Sequence, residues 1–404
     1  MMYLQFAILA VFALLYSLIA GRLERTSLSG PMVFLSFGVI AGPMVLGWLQ
    51  FDVSLTELRV LADLTLALVL FIDASNANKS IIKKHGSIPL RMLLFGLPMT
   101  IALGIGVGML LFDDLGLWEL AILATMLTAT DAALGKAVVT NKAVPARIRE
   151  GLNVESGLND GICVPLLLVF IVFAEATGAD AQGTELILFY MAEEIGIGLV
   201  VGSGVTAVCA KLMDYCYKRG WITKIWEQLP VIMLALICFS VAQSLGGSGY
   251  IAAFAGGILF GILAKEETHE LVTDAEGMAE TLAMFTWIVF GAAFINKAYQ
   301  LITWEIFAYA VLSLTVVRML PVMLSLAGSG EKIESKLFMA WFGPRGFASI
   351  VFAIIVLNTS IPGAPEMAVV VVCTVILSAF AHGITANPLA KALAKKLGAE
   401  NPAD

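Results

Sequence analysis

Residues 125–160 read TMLTATDAALGKAVVTNKAVPARIREGLNVESGLND. Thr128, Thr130 and Asp131 lie at one end of this stretch, Glu155, Ser156, Asn159 and Asp160 at the other, and apolar runs flank both groups. An aspartate at the centre of a membrane-spanning helix costs roughly 2.5–3.5 kcal/mol on insertion scales, so acids in such surroundings are read as functional. The rest of the chain decides whether the surroundings are a membrane.

The 404 residues are 59 % hydrophobic and 14 % charged, with a mean hydropathy of +0.92. Soluble domains carry about 25 % charged residues, so this composition is that of an all-α polytopic membrane protein. Apolar segments of spanning length number thirteen: 2–20, 29–49, 56–76, 89–112, 118–140, 151–174, 185–211, 227–245, 248–263, 276–295, 303–326, 337–357 and 365–388. The opening run lacks the basic start of a signal peptide and is read as a retained span. The five cysteines show no disulfide or metal spacing and read as small buried hydrophobes.

With the amino terminus outside, nineteen of the 24 basic residues fall in inward-facing loops. They include Arg25, Lys79, Lys83, Lys84, Lys142, Arg147, Arg149, Lys218, Arg219, Lys265 and the tail lysines 391, 395 and 396. The outward loops hold Lys297 alone and otherwise carry acids such as Asp113, Asp114 and Asp180. That alternation follows the positive-inside rule with an odd number of spans, amino terminus out and carboxyl terminus in. The net charge of −7 therefore says nothing of an acidic or nucleic-acid partner. The chain ends eight residues after Lys396, so no appended regulatory module is expected.

The seventh segment separates two six-segment halves of opposite orientation, the arrangement expected of inverted-repeat transporters. The fifth and twelfth segments then correspond. Each carries an interruption, Thr128-Ala-Thr-Asp131 in one and Gly343-Pro-Arg345-Gly346 in the other. An unwound helix within a membrane frees carbonyls and exposes helix ends, and it is tolerable only against protein or a water-filled cavity. The threonines alone would suit ordinary bonds to the preceding turn; Asp131 beside them favours a site.

In the sixth segment Glu155, Ser156, Asn159 and Asp160 stand at i, i+1, i+4 and i+5, one broad sector of a helix. Asp160 and Ser156 offer hard oxygen ligands for a dehydrated alkali cation. A lone carboxylate is prohibitive out of water, so Asp160 is read as holding a proton or a cation in turn. Glu155 needs a positive partner, with Arg318 the first candidate and Arg345 the second; Arg345 is also placed to stabilise exposed carbonyl ends. Asp73 in the third segment lies toward the cytoplasmic end, at an entry funnel or a helix end. Asp63 and the pair Glu193–Glu194 carry weaker signals. His85 and His269 read as solvated loop residues, and the lone His382 near the inner end of the last segment as structural.

These motifs resemble the monovalent cation/proton antiporters of the NhaP/NHE type. The resemblance is carried by Thr130-Asp131, by Glu155-Ser-Gly-Leu-Asn159-Asp160, and by Arg318 in VVRMLPV. Gly343-Pro-Arg345-Gly346 and His382-Gly383-Ile-Thr385-Ala-Asn-Pro388-Leu extend it over nearly the whole chain. It implies that Asn159-Asp160 holds the ion; Ser156, the Thr130 carbonyl and Asp73 are read as completing the shell around Na⁺ (or Li⁺), although Asp73 departs from the glutamate or glycine-rich sequence expected of the family there. It also implies that Glu155 and Arg318 form a core ion pair, and that Thr130-Asp131 lies where two unwound helices cross, supported by Thr128 and Arg345. A homodimer is implied as well, with scaffold helices in 1–76 and 227–295, a six-helix transport core in 77–174 and 303–390, and a linker helix in 185–211. The usual proline after Thr-Asp is Ala132 here. Asn159, in place of a second acid, suits one-for-one exchange.

The expectation is thus a secondary transporter exchanging Na⁺ for H⁺ in a prokaryotic inner membrane, with lipid as surroundings and no cofactor. A K⁺/H⁺ exchanger of the same fold is the nearest alternative. A channel would need a selectivity-filter loop, a sensor an output domain, and an enzyme a nucleophile–base or metal constellation; none of these is found.

Overall fold

The computed structural model describes residues 2–23, 26, 28–50, 55–76, 87–141, 143–176, 181–263, 266–293 and 295–397. Arg25, Lys79, Lys83, Lys84, His85, Lys142, Asp180 and Lys265, all used above in reading the loops, lie outside these residues. Among the described residues the regular structure is helical, with no strand.

The helices are α1 (Met2–Leu23), α2 (Gly30–Ala41), α3 (Leu55–Asn76), α4 (Ser87–Leu111) and α5 (Leu117–Met126). There follow α6 (Ala132–Val139), α7 (Ala146–Glu175), α8 (Ala181–Lys218), α9 (Leu229–Ser244) and α10 (Gly249–Leu263). The chain continues through α11 (Glu266–Ala293), α12 (Trp304–Ser325), α13 (Ile333–Trp341), α14 (Phe347–Leu357) and α15 (Ala364–Leu397). Among the described residues seven helices, α4, α7, α12 and α15 among them, are long and apolar enough to cross a membrane by length and composition.

The apolar run 29–49 continues past the end of its helix. α2 stops at Ala41 because Gly42 precedes Pro43, whose ring disfavours helix in the residue before it. Gly42 also lies so close to Ala292 of α11 that a Cβ would press on its backbone. Hydropathy alone does not register such a stop.

The helices sort into two packed groups. In one, α10 runs along α8 and α3, α9 packs on α8 and α10, and α11 packs on α2 and α3. Glycines let these backbones touch: a Cβ at Gly202 would overlap Ala252, and one at Gly257 would overlap Phe71. Small residues at such contacts are how helices associate without a hydrophobic driving force. In the other group α5 packs on α4 and α7, and α12 and α14 pack on α15. α15 brings a buried run, Met367–Val375, through its middle. The groups meet where α3 lies on α7 and α14, and where α10 reaches α7.

α5 and α6 are halves of one broken helix, as are α13 and α14, and none of residues 127–131 or 342–346 is helical. The two breaks lie against each other, since the Asp131 backbone N–H donates to the Pro344 carbonyl at 2.8 Å. Long α7 and α15 pack beside α6, so this crossing is enclosed by helices that carry the remaining polar side chains.

Candidate ion site

Breaking a helix leaves carbonyls without donors at one new end and N–H groups without acceptors at the other. Four such ends meet at the crossing, and one charged side chain serves each pair. Asp131 stands at the N-cap of α6, where its Oδ1 accepts from Leu134 N at 3.1 Å. Its Oδ2 accepts from Phe347 N, the first residue of α14, at 2.7 Å. One carboxylate therefore faces the positive amino ends of both half-helices. With Ala132 where a proline would enforce the break, these caps start the two half-helices.

Arg345 faces the opposite poles. Its Nη1 donates to the Gly343 carbonyl at 3.1 Å and to the Thr128 carbonyl at 3.4 Å, one beyond each carboxyl-terminal half-helix end. Ser349 of α14 adds a bond to the Met126 carbonyl at 2.7 Å, closing the end of α5. Thr125 and Thr128 bond back to Ala121 and Ala124, the ordinary use of threonine within a helix.

The polar sector of α7 faces this crossing. Ser156 Oγ donates to the Thr130 carbonyl at 2.7 Å, and Thr130 N donates to Asp160 Oδ1 at 3.1 Å. Asn159 Nδ2 reaches the Thr128 carbonyl at 3.1 Å, Glu155 Oε1 at 3.1 Å and Thr130 Oγ1 at 3.3 Å. Three acceptors around one amide nitrogen turn Asn159 Oδ1 the other way, onto Cys163 Sγ at 3.1 Å. Cys163 is thus part of the polar network, one turn beyond Asn159; its i+4 spacing was the available signal, and the apolar habit of cysteine hid it.

Glu155 is paired bidentately with Arg318 of α12, Nη1 to Oε1 at 2.8 Å and Nη2 to Oε2 at 3.2 Å. Both side chains are almost wholly buried, at 2 % and 3 % exposure. Gly343 lies flat against the Arg318 guanidinium, where a Cβ would strike Nε and Cζ. The pair ties α7 to α12 and the break after α13. Arg345, the second candidate partner, is placed on the carbonyl ends instead.

Asp160, Asp131 and Asp73 line one cavity of about 520 Å³. Its walls come from α3, α6, α7 and α11, and its rim carries Asn76, Thr140, Arg149 and Glu150. Asp73 lines the cavity from α3, beside Gly157 of α7, where a Cβ would press tightly on the Asp73 carbonyl and Cβ. Lys136 of α6 forms an ion pair with Glu280 of α11 at 2.6 Å within the same lining. This link between the two helix groups carried no signal in the sequence, because its partners are 144 residues apart.

Asp63 lies away from the crossing, accepting from Tyr250 and adjoining Arg59 at 3.6 Å. Glu193 and Glu194 line neither the crossing nor the cavity. His382 is buried at the end of α13. All five cysteines are free.

The sequence profile of the family described as sodium/hydrogen exchanger, transmembrane, matches residues 8–392. Among curated proteins, the K(+)/H(+) antiporter NhaP2 of Shewanella sp. (strain MR-4) is 25 % identical over 392 residues, covering 95 % of this chain and 66 % of its own length. A probable Na(+)/H(+) antiporter of Schizosaccharomyces pombe is 23 % identical over 370 residues, covering 86 % of this chain and 48 % of its own. The chain thus spans less than two thirds of the length of these relatives. Among solved structures, the sodium proton antiporter MjNhaP1 from Methanocaldococcus jannaschii superposes with a TM-score of 0.78 at 20 % identity, covering 97 % of this chain and 99 % of that one. That likeness is one of fold.

Proposed function

Because this chain belongs to the family of transmembrane sodium/hydrogen exchangers, we propose that it exchanges Na⁺ (and Li⁺) for H⁺ across a membrane, one for one, by alternating access. The observation that carries the reading is Asp160 itself: a carboxylate bonded to the unwound backbone at Thr130 N and lining an open cavity. The Ser156 hydroxyl and the Thr130 carbonyl lie together beside it, 2.7 Å apart, and each keeps lone pairs for a further contact. A dehydrated alkali cation takes oxygens of this kind, and a proton takes the carboxylate in its place. Asp131, Asn159, Thr128 and Arg345 hold the backbone that presents them, and Asp73 lines the way in.

The reading includes thirteen crossings, the amino terminus outside and the carboxyl terminus in the cytoplasm of a prokaryotic cell, where the exchange serves pH homeostasis. With that orientation the rim residues Asn76, Thr140, Arg149 and Glu150 are cytoplasmic and the cavity is open inward. It also includes a homodimer, in which the group containing α3, α10 and α11 is the scaffold and the group containing the crossing moves.

The test is collapse of an imposed ΔpH in proteoliposomes by Na⁺, Li⁺ or K⁺ added separately, for the wild type and for Asp160→Asn. A Na⁺ and Li⁺ response lost in a variant that elutes and melts like the wild type is the expected result. A retained response in Asp160→Asn means that the ion binds elsewhere. A second reading, K⁺/H⁺ exchange, is favoured by the likeness to the K(+)/H(+) antiporter NhaP2 of Shewanella. A response to K⁺ alone would select it with the site unchanged.

A further inference from the structure

His382 is 1 % exposed and belongs to neither the ion cavity nor the crossing charges. Its ring nitrogens face different elements. Nε2 lies 2.9 Å from the carbonyl of Trp341, the last residue of α13. Nδ1 lies 3.1 Å from Ser378 Oγ, one turn earlier on α15, and 3.0 Å from the Ser378 carbonyl. Ser378 Oγ in turn accepts from the backbone N–H of Arg345 at 2.6 Å.

The Trp341 carbonyl only accepts, so Nε2 carries a hydrogen. The Arg345 N–H donates to Ser378 Oγ, and Nδ1 of the ring stands within reach of both the serine hydroxyl and the Ser378 carbonyl. The series runs from Arg345 N–H through the serine hydroxyl to the ring, and from the ring to Trp341. It begins at Arg345, near the far end of the unwound segment 342–346, and ends at Trp341, just before that segment. Trp341 is held a second time by α15, its indole N–H donating to Thr385 Oγ1 at 2.9 Å.

We infer that His382 and Ser378 are positioning residues for ion exchange: one turn of α15 holds the unwound segment at Trp341 and at Arg345 and thereby sets where the Arg345 guanidinium reaches. From there Arg345 holds the Thr128 carbonyl, two residues before Thr130, whose backbone meets Asp160 and Ser156. The inference rests on the proposed exchange at Asp160. It places the influence of His382 on ion binding at two removes, through geometry and not through contact with the ion.

The experiment measures apparent KM for Na⁺ and maximal rate in proteoliposomes for His382→Phe, Ser378→Ala, the double variant and His382→Gln. Loss of a supporting hydrogen bond costs a metal site about 10-fold or more in affinity, and a rise of about that size in KM is expected for each single variant. Because both residues act on one segment, the double variant is expected to add little to either single one. His382→Gln, whose amide can renew the bond to Trp341, is expected to recover part of the loss. Unchanged KM in His382→Phe and Ser378→Ala, with or without a lower melting temperature, would make the pair a structural fixture and overturn the inference. Fully additive effects would do the same. If the wild type shows no exchange with any cation, the proposed function fails, which is a separate outcome.

Discussion

A buried ion pair is a poor source of stability when it is intact, yet removing one partner strands the other in an apolar interior. The second effect typically amounts to about 3–5 kcal/mol. Glu155 and Arg318 form such a pair, bidentate and closed off from solvent. Glu155 also accepts from Asn159, so it is bonded to a neighbour of Asp160 without lining the cavity. Glu155→Ala is therefore expected to lower the yield and melting temperature of the purified protein far more than Asp160→Asn does. An unaltered melting profile would mean that the pair does not hold α7 to α12. The charged members of this network were legible in the sequence, because a Glu, an Asp or an Arg inside an apolar run has few innocent explanations. Cys163, Ser349 and Ser378 were not. Small polar residues are common in membrane helices, mostly bonded to their own preceding turn, and only the packed neighbours distinguish a brace from a bystander.

The two broken helices show a different division. Their breaks were visible because Thr-Ala-Thr-Asp and Gly-Pro-Arg-Gly disfavour continued helix and stand at corresponding places in the two halves. What meets at each break was not visible, since it depends on approach between segments more than two hundred residues apart. The close approach accounts for one glycine. Gly346 precedes α14, and a Cβ there would overlap the Asp131 carboxylate that caps the helix. Gly346→Ala thus forces the carboxylate off Phe347 N, and loss of an N-cap typically costs about 0.5–2 kcal/mol. A lower melting temperature and weakened cation affinity are expected together, measured on the same preparation. If alanine is tolerated in both respects, the shared cap is dispensable. The helix ends were read less well than the breaks: the Gly42-Pro43 stop in α2 lies inside an apolar run whose hydropathy continues unchanged.

The two helix groups are joined on the cavity side by the Lys136–Glu280 ion pair, while Gly157 and Gly161 of α7 lie close against Asp73 and Phe254. The alternation of loop charge, read from the sequence, is what the proposed orientation of the cavity rests on; the resemblance implied a division into scaffold and core, and the packing gives the contacts between the helices. At the crossing Glu155 is neutralised by Arg318, and in the proposed exchange the carboxylate that takes the occupant is Asp160. A proton neutralises it, and so does one monovalent cation, so both loaded forms carry the same total. The unloaded form alone is left with a bare negative charge, and moving it through an apolar barrier is the costliest of the three passages. Under the proposed exchange, the arrangement that admits two rival occupants would also obstruct the return of an empty carrier and so keep a one-way leak from dissipating a gradient. In alkaline medium, where protons are scarce, labelled Na⁺ is accordingly expected to leave vesicles faster when unlabelled Na⁺ waits on the other side. Equal efflux with and without it would mean that the bare carboxylate crosses freely.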